Sequence, residues 1–203
     1  MAGRVFVVGI DGGDFSLIKR WANEGKLPHF KNIMEQGSYG KLRSTIPPIT
    51  GAAWSSFQTG TNPGKHGAFN WFKRVKGEYR AAPVNNNDIS EPTLWQILSR
   101  QEKKVGVIGV PVTYPPKKVN GFLIPGLLTP NNSSQQSYPL DIMDEVREIA
   151  PDFKFSPKEW TRGYEPKGWV DEMPDDILSR ISVTRDFLRK KDCHRLRDQF
   201  RER

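Results

Sequence analysis

The chain has 203 residues, long enough for one or two domains around a sizeable core. About a quarter of it is Leu, Ile, Val or Phe, above the roughly 20% below which chains tend to disorder, and the single cysteine, Cys193, excludes an internal disulfide framework or a multi-cysteine zinc site. The formal net charge of +8 draws polyanions without naming one, and no apolar run approaches the roughly 18 residues of a membrane span.

In chain order, Arg4 to Ile10 is nearly continuously apolar, the pattern of a strand covered on both faces of a parallel sheet. It runs into Asp11-Gly12-Gly13 with no small-residue cleavage site, so it reads as a strand and not a signal peptide, and a cytoplasmic protein is expected. Phe15, Leu17, Ile18, Trp21 and Ala22 predict a helix up to Gly25, and Phe30, Ile33 and Met34 predict a second up to Gly37. Tyr39 to Ile46 predicts another strand, broken by Pro47-Pro48. Thr50 then stands at the expected start of a helix that carries Ala52, Ala53, Trp54, Phe57 and Gln58 and stops at Gly60.

Glu91 to Gln101 predicts a helix with Ser90 as its cap, followed by an apolar strand from Val105 to Val110. Residues 111 to 140, with six prolines, predict a loop without a core element. Helical spacing returns from Asp141 to Ala150 and from Val170 to Lys191, ahead of a charged stretch from His194 to Arg203. The alternation favours an α/β fold with a mostly parallel sheet flanked by helices.

Two segments carry potential chemistry. Asp11 falls at the carboxyl end of the first predicted strand, on the rim where open α/β sheets bind ligands; the same residue also suits a turn or a helix cap. Thr50 places a hydroxyl at a helix N-terminus, where peptide N–H groups and the helix dipole favour an oxyanion or phosphate; the same position suits a plain N-cap.

Together with Thr59-Gly60-Thr61-Asn62-Pro63-Gly64-Lys65-His66-Gly67, nine residues on from Thr50, these segments resemble the N-terminal half of the type I phosphodiesterase and nucleotide pyrophosphatase family, within the alkaline phosphatase superfamily. Gly109 to Pro116, Val119-Asn120-Gly121 and Leu127-Leu128-Thr129-Pro130 add to the resemblance, which spans roughly residues 4 to 192. It implies an alkaline-phosphatase-like sheet, here its N-terminal part over residues 1–192, with an atypical charged tail at 193–203 in place of the expected buried strand. It also implies a phosphodiester or pyrophosphate substrate, Thr50 as nucleophile, and a two-metal centre, usually zinc, in which Asp11 and Thr50 contact one ion. Metal coordination is the means by which a weakly acidic threonine hydroxyl becomes a nucleophile at neutral pH.

Two departures stand out. The family's nucleotide pyrophosphatases have Asn three residues after the nucleophile, where this chain has Ala53. The family's further ligands, in Asp-x-x-x-x-His and Asp-His-Gly motifs, have no counterpart in these residues, so a truncated or frame-shifted product with an incomplete phosphate- or metal-binding site is the alternative expectation. His66 corresponds to a structural histidine of the family, His29 reads as solvent-facing or capping, and the Cys193-His194 pair reads as part of a solvated tail. The tryptophans are scattered and Lys103-Lys104 and Lys117-Lys118 read as solvated ends, so nucleic-acid binding is not expected from the sequence.

Overall fold

The computed structural model describes residues 5–155 and the helix at 166–190. The chain divides into two compact units, Met1–Ser44 and Thr45–Arg203.

The first unit holds two helices, α1 (Phe15–Asn23) and α2 (Pro28–Gln36), which pack on each other. Asp14 starts α1, its side chain accepting the Leu17 N–H at 2.9 Å, and Pro28 opens α2, where a missing N–H costs nothing. Neither expected strand forms. Residues 5–10 and 39–46 carry no ladder hydrogen bonds, and Val5, Phe6, Val7, Val8 and Ile10 are all more than half exposed. An apolar run becomes a strand only where a neighbour takes up its N–H and C=O groups, and none of the described residues does so here.

The second unit begins with α3 (Thr50–Thr59) and the single turn α4 (Pro63–His66), followed by an antiparallel hairpin of β1 (Phe72–Arg74) and β2 (Ala81–Pro83). Next come α5 (Leu94–Arg100), the parallel pair β3 (Val105–Val110) and β4 (Gly121–Pro125), and the helices α6 (Ile142–Ile149) and α7 (Pro166–Lys190). The described sheets are therefore two small pairs, in place of the extended, mostly parallel sheet read from the sequence. The fold is mixed α/β.

Three further expectations need correction. Ser90 is not the cap of α5: Thr93 is, its hydroxyl accepting the Gln96 N–H while the Gln96 side chain accepts from the Thr93 N–H at 2.9 Å, a reciprocal box that moves the helix start downstream. Thr50 is not the cap of α3 but its first residue, because Ile49 keeps extended backbone (φ −117°, ψ 138°) after the Pro47-Pro48 break. Residues 111 to 140 do contain a core element, β4, whose Leu123 and Ile124 are fully buried. Short strands flanked by proline are hidden from a reading that weighs turn residues by number.

The β3–β4 pair organises the second unit's main core. Side chains alternate across a strand, so Phe122 and Ile124 turn to one face, against Ile142, Met143 and Val146 of α6 and Val183 and Phe187 of α7. Phe122 meets Phe187 edge to face with ring centroids 5.1 Å apart. Leu123 and Val107 turn to the other face, onto Trp95 of α5 and Val119. Gly106 has to be glycine because an added Cβ would lie 2.7 Å from the Phe122 ring. Phe187→Ala should lower the unfolding free energy by about 3–5 kcal/mol, read as a fall in the denaturant midpoint at unchanged slope.

Candidate active site

Thr50 sits half-buried in the first turn of α3, where the N-terminal peptide groups carry the positive end of the helix dipole. The helix turns Gly51, Ala52, Ser55 and Gln58 inward and ends at Gly60, whose left-handed backbone (φ 68°) closes it. Gly51 is the tight point: a Cβ there would lie 3.0 Å from the Asn70 carbonyl oxygen and 3.2 Å from its carbon. The main chain leading into β1 therefore crosses the first turn of α3 at backbone contact, and it fixes where Thr50 stands.

The segment after α3 is held by His66, which is fully buried. Its Nδ1 accepts the Ala68 N–H at 3.1 Å, so the ring proton belongs on Nε2, which lies 2.9 Å from the Ser56 hydroxyl and donates to it. Both ring nitrogens are engaged by the protein itself, which fits the structural role expected for this histidine. Burial pushes its pKa below the usual histidine value, because the charged form loses hydration. Thr59 and Thr61 close on each other, with hydroxyl oxygens 3.0 Å apart and the Thr59 hydroxyl also donating to the Ser55 carbonyl at 2.7 Å. The Thr-Gly-Thr-Asn-Pro-Gly-Lys-His-Gly stretch is thus a helix stop, a proline-started turn and a buried anchor in succession.

Asp11 lies in the first unit. It is exposed, in a turn in which the Gly13 N–H bonds the Ile10 carbonyl at 3.4 Å and Gly12 has φ 64°, a left-handed backbone that glycine adopts without strain. It does not cap the following helix; Asp14 does. Asp11 belongs to the first unit and Thr50 to the second. His29 is exposed at the start of α2, and Cys193 and His194 lie outside the described residues, as does the 193–203 tail.

The donor set falls short of a metal centre. Among the described residues there is no group of three or more His, Cys, Asp or Glu side chains able to hold an ion. Asp11 and Thr50 alone are fewer than the three or four protein ligands of a zinc site.

Residues 5–200 match the family of type I phosphodiesterases / nucleotide pyrophosphatases. The chain belongs to that family. No curated protein and no solved structure matches it. Membership makes this a chain of phosphoester hydrolases that are typically metal-dependent, and no helix among the described residues is long and apolar enough to cross a membrane.

Two outcomes test this local architecture. Gly51→Ala forces backbone apart at the start of α3 and should cost about 1–3 kcal/mol in stability, measured by denaturant unfolding. For His66, the folded-state pKa is depressed, so the unfolded chain binds the proton first. Stability should be level above the ordinary histidine range and fall as pH drops through and below it. A melting temperature that declines between pH 7.5 and 5.5 in the native protein, with a shallower decline in His66→Gln, is the expected result.

Proposed function

We propose that this chain carries the nucleophile of a phosphodiester- or pyrophosphate-cleaving hydrolase, with Thr50 as the attacking residue and Asp11 as a metal-ligating carboxylate. The observation that supports the reading most is the position of Thr50, half-buried in the first turn of α3, within the residues matched to the family. There the helix dipole favours both an alkoxide and an incoming phosphate.

In this reading the Thr50 oxygen attacks phosphorus in line with the leaving group. An Oγ–P bond forms, the bond to the leaving oxygen breaks, and the hydroxyl proton passes by way of solvent to the leaving oxygen. Water then cleaves the phospho-threonine and restores the hydroxyl. The family resemblance implies two divalent ions, usually zinc; Asp11 and Thr50 would be among their ligands, and the bound ions would supply Lewis-acid activation. Asp11 and Thr50 are the ligands assigned to this chain; the described residues hold no cluster of His, Cys, Asp or Glu that would complete the centre. Ala53, standing where nucleotide pyrophosphatases of the family have Asn, removes one amide donor to a phosphate oxygen and favours substrates beyond nucleotides.

The test is turnover of a nitrophenyl phosphodiester by the full chain supplied with zinc, together with mass spectrometry of acid-quenched protein. Thr50→Ala should lower turnover by at least about 1,000-fold, as loss of a nucleophile does, and abolish a phosphoryl adduct that maps to residue 50 in the native chain. Activity within tenfold of the native chain would overturn the assignment. Chelation of divalent ions should stop turnover reversibly, and Asp11→Ala should weaken zinc retention in equilibrium dialysis.

A further inference from the structure

The β1–β2 hairpin has two unlike faces. Both strands alternate exposed, half-buried, exposed, in the register Phe72 with Pro83, Lys73 with Ala82 and Arg74 with Ala81. The half-buried side belongs to the protein: Lys73 is ion-paired with Asp88, and Ala82 stands opposite it. The other side faces solvent and carries Phe72, Arg74, Ala81 and Pro83, and the ring of Tyr79, in the bend before β2, lies beside Arg74 of that side. Phe72 is 57% exposed and Tyr79 fully so. The Arg74 guanidinium lies over the Tyr79 ring, 5.2 Å from its centroid.

The charge on this hairpin is complementary to a phosphate chain. Arg74, Lys76 and Arg80 cluster within seven residues, with Glu78 alone against them and bonded to Arg80 at 2.9 Å. Flat rings interleaved with cations on one exposed ribbon form a stacking platform beside an electrostatic track.

We propose that the exposed face of the β1–β2 hairpin binds single-stranded nucleic acid, with bases stacking on Phe72 and Tyr79 and phosphates lying along Arg74 and Lys76. An anionic membrane is the competing partner, and the hairpin tip argues against it. The turn from Val75 to Glu78, closed by the Glu78 N–H on the Val75 carbonyl at 3.1 Å, carries Lys76 and the acidic Glu78 where an inserting loop would carry apolar side chains. The sequence reading set nucleic acid aside because it weighed the tryptophans and the paired lysines; pairing of the strands is what collects the other aromatic and basic residues on one face. This inference does not depend on Thr50 being a nucleophile. The root of the hairpin at Asn70 and Trp71 nevertheless crosses the first turn of α3.

The test is fluorescence anisotropy of a labelled 12-residue oligothymidylate with the full chain, in a chelator to suppress hydrolysis. Binding should fall in the range of roughly 1–100 μM and weaken about tenfold between 50 and 200 mM salt. Tyr79→Ala and Phe72→Ala should each reduce affinity about fivefold or more while leaving the salt slope in place. The Arg74→Ala, Lys76→Ala double variant should flatten that slope. All four positions are exposed, and circular dichroism of each variant checks that the fold is kept. Absence of binding up to about 100 μM, or an affinity unchanged from the native chain in both ring variants, would overturn the proposal. So would binding of phosphatidylserine vesicles that the same variants abolish while the oligonucleotide stays unbound.

Discussion

Parallel pairing of β3 with β4 is the constraint on which the rest of the second unit depends. Because neighbouring side chains of a strand point to opposite faces, Leu123 and Ile124 serve two different cores at once. A slip of one residue would exchange the two faces and expose what both cores bury. The register is pinned by glycines where the backbones come closest. At Gly121 an added Cβ would fall 2.0 Å from the Val105 carbonyl oxygen, and at Gly126 it would fall 2.4 Å from that of Gly109. Helices α5, α6 and α7 then need only to lay apolar stripes on a surface already defined.

The helices of this fold were largely legible in the sequence, whereas of the described strands β3, expected and found at Val105–Val110, was the one read correctly. Spacing of Leu17, Ile18 and Trp21, or of Ile142, Met143 and Val146, carries a period that can be read locally. Strand formation is decided by distant partners. Val105 to Val110 finds one in β4 and forms, whereas Val5 to Ile10, equally apolar, finds none among the described residues. The segment holding β4 was masked by its six prolines, and β1 and β2 are three residues each, too short for alternation to stand out.

The candidate site was legible in part. The Thr50 helix and the Thr-Gly-Thr-Asn-Pro-Gly stretch were recognised from residue types, and the family match over residues 5–200 bears out the membership they suggested. The sequence could not show that a peptide group at Asn70 presses on Gly51, since contacts across 19 positions leave no periodic trace. Nor could it separate the cap from the first helical residue, because Thr suits both and the backbone of Ile49 decides. Asp11 illustrates a further gap: its turn is set by Gly12, a local signal, while its relation to Thr50 is a property of the tertiary fold.

The engagement of His66 on both ring nitrogens has a spectroscopic consequence. With Nδ1 accepting from the Ala68 amide and Nε2 donating to Ser56, one neutral tautomer is selected and its ring proton is shielded from solvent. That proton should exchange slowly enough to give a resolved downfield magnetic resonance line. Because it bridges α3 and the chain that leads to the hairpin, its linewidth offers a single-atom report on whether those two elements move together or apart.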